Sequence, residues 1–317
     1  MVRNAIAISR FGASLRRRDG FIIVAVLWIL LMLATLATIY SVYVGKSALA
    51  LTANDAGLET ELMASAGLEL AAYQLLSAEK DERPTHGEFR VRLGRANLTV
   101  TFVSEAARID LNEAPKPLLA GLFAVLGARG PDAERYADRV IGWRTEPKAA
   151  AQDNEVSLYR AAGSSYLPRG APFAHVNELW LVQGLPPMLV ERALPFVTVY
   201  SGQATVNVLD AAPEVLAALP DMTQDRLDNL LNRRETTSNA PKSAADLLGT
   251  DDPTTTTKGS KAFRVNVQTR FDDGRRTASE AVILLGSEKV PYQVLSWRDG
   301  ADEMPTPSRA ATRAISR

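Results

Sequence analysis

FIIVAVLWILLMLATLATIYSVYVG, residues 21–45, decides how the rest of the chain is read: it is 25 residues long and carries no charge. An α-helix rises about 1.5 Å per residue, so roughly 20 apolar residues cross the hydrocarbon core of a bilayer. The segment is therefore predicted to span a membrane once. Arg3, Arg10, Arg16, Arg17 and Arg18 precede it, against the single acid Asp19. Flanking cations hold their side of a span in the cytoplasm, which sends the C-terminal body outward. A cleaved secretory signal is the competing reading, with Ala48-Leu49-Ala50 as a small-residue site. Such signals have apolar regions of about 7–15 residues, and this run exceeds that. An uncleaved signal anchor is the third reading.

The overall charge balance hides an asymmetry. Lysine plus arginine and aspartate plus glutamate number 36 each, yet residues 1–20 carry +4 and the remaining 297 carry −4. A near-neutral to acidic body argues against nucleic acid as a partner. The absence of cysteine excludes disulfides, thiolate metal sites and cysteine nucleophiles. The two histidines, His86 and His175, are too few for a histidine-rich centre. His175 precedes a predicted helix and reads as a capping or packing residue. Ser164-Ser165 lacks a nucleophile-elbow pattern, and no glycine-rich phosphate loop follows a strand.

Beyond Lys46 the helical pattern continues but turns amphipathic. Leu51, Leu58, Leu62, Leu68 and Leu70 recur among Asp55, Glu59, Glu61 and Glu69, with no proline before Pro84. This predicts one helix from Phe21 to about Ser77, its later leucines forming structural core. Residues 88–104 alternate apolar and polar around Gly94-Arg95-Ala96-Asn97, as a hairpin does. Residues 263–285 repeat the signal around Asp272-Asp273-Gly274, a strong turn cue, and 291–297 offer a fifth strand. The sheet is expected to be antiparallel and packed on the amphipathic end of the long helix.

Between the strand groups the pattern is helical and weakly repeated. Ile109-Asp110-Leu111-Asn112-Glu113-Ala114-Pro115 leads into Leu118, Leu119 and Leu122, and 97 residues later Val206-Asn207-Val208-Leu209-Asp210-Ala211-Ala212-Pro213 leads into Val215, Leu216 and Leu219. In each, a strand-like step ends at a residue suited to capping, with proline in or near the first helical turn. Leu181–Leu185 and Leu216–Met222 look like helix-hairpin-helix turns, but the acids Glu178, Glu191, Glu214, Asp221 and Asp225 around them fit a packed scaffold better than phosphate binding. Residues 249–261 read as a mobile linker.

Taken in series, these motifs resemble the K-type minor pseudopilin of type II secretion systems, over about residues 10–298. The match is carried by Gly20-Phe21 with its apolar helix, Asp110-Leu111-Asn112-x-Ala114-Pro115 and Phe173-x-x-Val176-Asn177-Glu178-Leu179. It continues through Val182-x-Gly184-Leu185, Pro195–Ser201 and Val206-Asn207-Val208 leading to Ala211–Leu216. The resemblance implies a prepilin signal, cut after Gly20 by a prepilin peptidase that methylates Phe21. It implies an inner-membrane single pass with the body in the periplasm, and an assembly helix that includes Phe21, Ile22, Val24, Ala25, Leu27 and Leu30. Ala25 stands where most pilins and pseudopilins carry glutamate, a residue that the K-type subunit lacks. The implied fold is α+β: a pilin-like long N-terminal helix packed on an antiparallel sheet, with a large all-helical (helix-hairpin-helix/SAM-like) insertion. The domain bounds are leader 1–20, helix 21–77 with 21–45 transmembrane, sheet 88–109 and 263–298, insertion 110–245, linker 246–262 and disordered tail 299–317.

The implied role is structural rather than enzymatic: a tip subunit that assembles with the I- and J-type minor pseudopilins above the major pseudopilin, initiates the filament and acts in export of folded periplasmic proteins. No cofactor is required. The family's acidic run that helps bind calcium is here Trp143-Arg144-Thr145-Glu146-Pro147, leaving Glu146, Asp153 and Glu155 as candidate ligands. Alternative readings are a membrane-anchored periplasmic binding protein or hydrolase, and a type IV pilus minor pilin.

Overall fold

The computed structural model describes residues 19–79, 82–146, 154–236, 243–249, 252–287 and 289–300. The leader through residue 18, the tail from 301 and Asp153 lie outside them. The chain divides into two compact units, Met1–Glu61 and Leu62–Arg317.

In the first unit, helix α1 (Asp19–Ser77) begins and carries the span Phe21–Lys46. In the second unit the end of α1 is followed by β1 (His86–Leu93) and β2 (Ala96–Ser104). A 3-10 turn, Glu105–Ala107, then opens the insertion, which begins with β3 (Ile109–Asp110), α2 (Lys116–Val125), α3 (Gly130–Arg144) and α4 (Asn154–Ala161). A second 3-10 segment, Val176–Leu181, precedes α5 (Pro187–Ala193) and β4 (Val197–Thr198). Next come β5 (Val206–Asn207), α6 (Pro213–Ala217), α7 (Gln224–Thr236), α8 (Ala244–Leu248) and β6 (Thr255–Thr256). The chain returns to the main sheet as β7 (Ala262–Phe271), β8 (Arg276–Ser287) and β9 (Val290–Asp299).

The main sheet has the order β1-β2-β7-β8-β9, antiparallel throughout. Strict alternation drives it: Leu98, Val100 and Phe102 of β2 and Val265 and Val267 of β7 share one buried core with Leu68, Ala71, Ala72 and Leu75 of α1. Small residues let helix and sheet approach. A Cβ at Gly67 would sit 2.7 Å from a Val267 methyl, closer than real contacts allow. The helix therefore packs through a narrow stripe at Ala64, Gly67, Leu68, Ala71, Ala72 and Leu75. That corrects the sequence expectation for the leucines, because Leu58, Leu62 and Leu70 are exposed. The β1–β2 turn is tighter than expected: Gly94 (φ +55°) and Arg95 form it alone, and Ala96 already pairs with Leu93.

The insertion occupies residues 105–261 and has its own core, and its internal repeat reappears bond for bond. Leu111 N donates to Thr198 O, and Val208 N to Thr256 O, so β3 pairs with β4 and β5 with β6, both parallel. Asp110 Oδ1 accepts Asn112 N at 2.8 Å, and Asn207 Oδ1 accepts Leu209 N at 2.9 Å. Arg144 of α3 donates to Ala114 O, and Arg234 of α7 to the equivalent Ala211 O, each at 2.8 Å. Gly127 (φ +103°) turns between α2 and α3 and Asp221 (φ +55°) between α6 and α7, the latter being the non-glycine residue with positive φ among the described residues. The other hairpin turn expected from sequence, at Gly184 (φ +86°), joins the 3-10 segment Val176–Leu181 to α5.

The linker expectation for 246–262 needs correction. Ser243 and Asp246 form a capping box on α8, and Gly249 (φ +73°) closes it. The threonines that read as a linker are bonded locally: Asp252 Oδ1 accepts Thr254 N and Oγ1, and Thr256 Oγ1 accepts Lys258 N. Ser260 is buried, its N–H donating to Ser104 Oγ at 2.8 Å, so the two chain crossings between sheet and insertion are tied together.

Candidate functional site

Two features of the chain have the composition of functional surfaces. The first is the Phe21–Lys46 helix, with mean hydropathy 2.8 and none of that window buried. Its large side chains point outward on all sides; Phe21, Ile22, Val24, Leu27 and Leu30 are exposed and Ala25 is half-exposed. Thr35 and Thr38 donate their hydroxyls to Met32 O and Ala34 O, so their polarity is satisfied within the helix. A helix apolar all round needs lipid or other apolar helices around it. By length and composition this one suits a single-pass anchor. Gly20 lies in the first turn of α1, next to Phe21.

The second feature is the joint between the main sheet and the insertion. Glu105, the first residue past β2, is fully buried and accepts from Arg264 Nε at 2.8 Å and Arg264 Nη2 at 3.2 Å. Arg108 Nη1 adds a contact at 3.3 Å, and the Thr198 hydroxyl of β4 also donates to Glu105. Arg264 Nη1 reaches Glu280 Oε1 at 2.6 Å, and Arg298 Nη2 shares that oxygen at 2.8 Å. Burial pushes the Glu105 carboxyl up, but the charges of Arg264 and Arg108 and the bonds they make outweigh it and hold it below the usual carboxylate range. Burial and then the like charge of Arg264 pull Arg108 down to about 10, partly offset by Glu105.

A cleft of about 480 Å³ opens beside this network, its lining drawn from β2, β7, β8 and β9 on the sheet and from loops of the insertion. His175 borders it and caps the 3-10 segment, its Nδ1 accepting Asn177 N at 3.1 Å, in line with the capping role expected from sequence. His86 Nδ1 lies 2.6 Å from Asp210 Oδ1, tying β1 to the second repeat.

The remaining motif residues fall into packing roles. Trp143 packs among Tyr159, Tyr166 and Phe173 and donates Nε1–H to Glu178 at 3.1 Å. Asn112 clamps the Phe173 backbone in both directions, at 2.6 and 3.1 Å. Of the candidate calcium ligands, Glu146 and Glu155 flank residues outside those described, and Asp153 lies among the latter. Glu155 Oε2 accepts from Arg139 Nη1 at 2.6 Å. Among the described residues no three acids, histidines or cysteines cluster as a metal site would need. The ion network at the joint was missed by sequence reasoning. Its one sequence signal is the Glu105/Arg108 spacing directly after an alternating strand; the pairing with Arg264, 159 residues away, leaves none.

Comparison with known proteins agrees with this architecture. Residues 94–202 match the family model described as type II secretion system (T2SS), protein K. Type II secretion system protein K of Pseudomonas aeruginosa is 30% identical over 161 residues, covering 47% of this chain. The chain spans 45% of that relative's length. A chain in the crystal structure of the GspK-GspI-GspJ complex from the enterotoxigenic Escherichia coli type 2 secretion system superposes with a TM-score of 0.57 at 16% identity. That likeness covers 78% of this chain and 96% of the other, and it establishes the α+β fold.

Proposed function

We propose that this chain works as a K-type minor pseudopilin, a structural subunit at the tip of the type II secretion pseudopilus. The observation that carries the reading is a helix exposed on every side from Phe21 to Lys46, in a chain whose residues 94–202 match the protein K family model. A naked apolar helix is stable in lipid and, once extracted, only against similar helices of sister subunits. Those sisters are I- and J-type minor pseudopilins, as the composition of the structurally similar complex suggests, with the major pseudopilin below them. The arginine-rich leader holds the N-terminus in the cytoplasm, and the head stands in the periplasm. The prepilin peptidase cuts between Gly20 and Phe21 and methylates Phe21, leaving the helix intact for both its lipid and its filament lives. The subunit initiates the filament and acts in export of folded proteins without covalent chemistry of its own.

Intact-mass measurement of protein extracted from membranes tests this. The expected species begins at N-methylated Phe21 and co-purifies with the I- and J-type subunits. A mature start at Leu51, or full-length protein with Gly20 attached in secreting cells, overturns it.

A further inference from the structure

Strand β2 leaves for the insertion after Ser104 and β7 returns at Ala262, so the opposite ends of these strands, at the two hairpin turns, lie away from it. A basic row crosses the sheet there. Arg92 of β1 pairs with Asn97 of β2, Asn97 with Arg270 of β7, and Arg270 with Arg276 of β8. Paired residues share a face of a sheet, and successive residues alternate between faces. Leu98 and Phe271, next to Asn97 and Arg270, belong to the core shared with α1, so the row looks out from the other face. All four of its residues are exposed. Asp272 answers Arg92 at 3.0 Å, and Asp273, the other acid of the turn, is held by Arg275 Nε at 2.6 Å. Further along the same face Glu88 is bound to Arg90, and Glu280 to Arg264 and Arg298. The side chains of Arg270 and Arg276 make no ion pair or hydrogen bond among the described residues. Like charges directly opposite each other on neighbouring strands destabilise a sheet, and an anion at this pair would relieve that.

The direction of α1 within this unit shows which end the row occupies. Arg83, just past the helix, donates Nε to Leu75 O, and Ser104 N donates to Thr85 O. The C-terminal end of α1 therefore lies where the insertion starts. Gly67 packs against Val100 and Val267, midway along β2 and β7. The helix thus enters from the hairpin end, and the chain that enters at Leu62 comes from the span that ends at Lys46. A basic row at the end where the chain arrives from a membrane span suits the anionic surface of that membrane. We propose that Arg92, Arg270 and Arg276, with Asn97 between them, form a docking surface for anionic phospholipid headgroups. Headgroup phosphate oxygens accept from the guanidiniums and from Asn97 Nδ2. The inference needs the Phe21–Lys46 helix to span lipid and stands apart from the tip-subunit reading.

The chain has no cysteine, so a fluorophore on Gln268→Cys reports on this facet alone. Gln268 is exposed, two residues before Arg270 on the same face. The labelled full-length protein is placed in nanodiscs of phosphatidylcholine with or without phosphatidylglycerol, each disc carrying a lipid with a quencher on its headgroup. Quenching is expected to be stronger with phosphatidylglycerol and to fall as salt is raised. Each arginine near an anionic surface contributes about fivefold, so Arg270→Gln with Arg276→Gln is expected to weaken docking about 25-fold. Arg270→Lys with Arg276→Lys is expected to keep it. The glutamine pair removes a like-charge contact, so its thermal unfolding stays as cooperative as that of the native chain. Quenching that ignores phosphatidylglycerol, or that is unchanged in the glutamine pair, overturns the proposal. So does quenching that appears only when I- and J-type subunits are added, which would assign the row to an acidic protein surface.

Discussion

The two repeats of the insertion share a backbone and differ in how they are tied to the sheet. The first, from β3 to β4, is anchored through a buried charge network: Glu105 reaches Thr198 of β4, and Arg108 Nε donates to Pro195 O at 3.1 Å. The second, from β5 to β6, meets the sheet's first strand through the His86–Asp210 pair, in which the His86 side chain is 49% exposed. Their inner caps differ as well. Asp110 Oδ2 accepts from Ser201 Oγ and Gly202 N, so a carboxylate with three donors around it organises the chain between the repeats. Asn207 instead donates to Asp210, which frees nothing and binds only its own turn. One copy of the motif has become a structural hub, and the other is a local cap.

The largest effect that would sharpen this contrast is at Glu105. Glu105→Gln keeps the shape and removes the counterion of two buried guanidiniums, and breaking such a pair costs about 3–5 kcal/mol. The expected result is a matching loss of stability in thermal unfolding of the detergent-purified chain, followed by tryptophan fluorescence. The pH sign follows from the lowered folded-state proton affinity of Glu105. Its contribution is fully present above the ordinary carboxylate range and is lost as pH falls through the folded value. The native protein therefore loses stability on acidification more steeply than Glu105→Gln. Equal pH slopes would remove the network from its place as the first repeat's anchor.

Next in size is an exchange of cap identity. Asn207→Asp gives the second repeat the first repeat's residue but sets a carboxylate against Asp210 Oδ2, 3.0 Å from the present amide nitrogen. Two carboxylates in one buried site cannot both ionise cheaply, and one is pushed toward its protonated form. A destabilisation of about 2–3 kcal/mol at neutral pH is expected from the lost hydrogen bond and the unpaired charge. It should shrink as pH falls, opposite in direction to the native behaviour of Glu105. A variant as stable as the native chain at neutral pH would mean the two caps are interchangeable, and the comparison would break.

How much of this was legible in the sequence depends on the range of the interaction. Strand alternation in 88–104 and 263–285, the Asp-Gly turn and the apolar run from Phe21 are local patterns, and each maps onto an element of the structure. The repeat was legible because Asp110 and Asn207 bond two residues ahead of themselves. The threonine-rich stretch near 252–258 was misread as a linker because polar residues that cap one another look, in sequence, like polar residues that face water. Leu58 and Leu62 were misread as core because helical periodicity marks an apolar face without saying whether small or large residues meet the sheet. The joint was invisible: Arg264 sits in an alternating strand where an outward cation is ordinary, and only the return of the chain after the insertion brings Glu105 to it.

The smallest effect is at the second repeat's own tie. His86→Ala removes the contact at 2.6 Å to Asp210, yet the loss is expected to be small for two reasons. His86 is half exposed, so water replaces much of what the imidazole gives, and partly exposed ion pairs are worth about 0–1 kcal/mol. Asp210, whose side chain is only 3% exposed, also keeps its bond from Asn207 Nδ2, so it is not left as an orphaned buried charge. A loss of stability below about 1 kcal/mol in the same unfolding measurement fits a repeat that is tethered loosely at this point. A loss as large as that of Glu105→Gln would show two equivalent anchors, and the insertion would then be clamped to the sheet at both repeats rather than fastened at one.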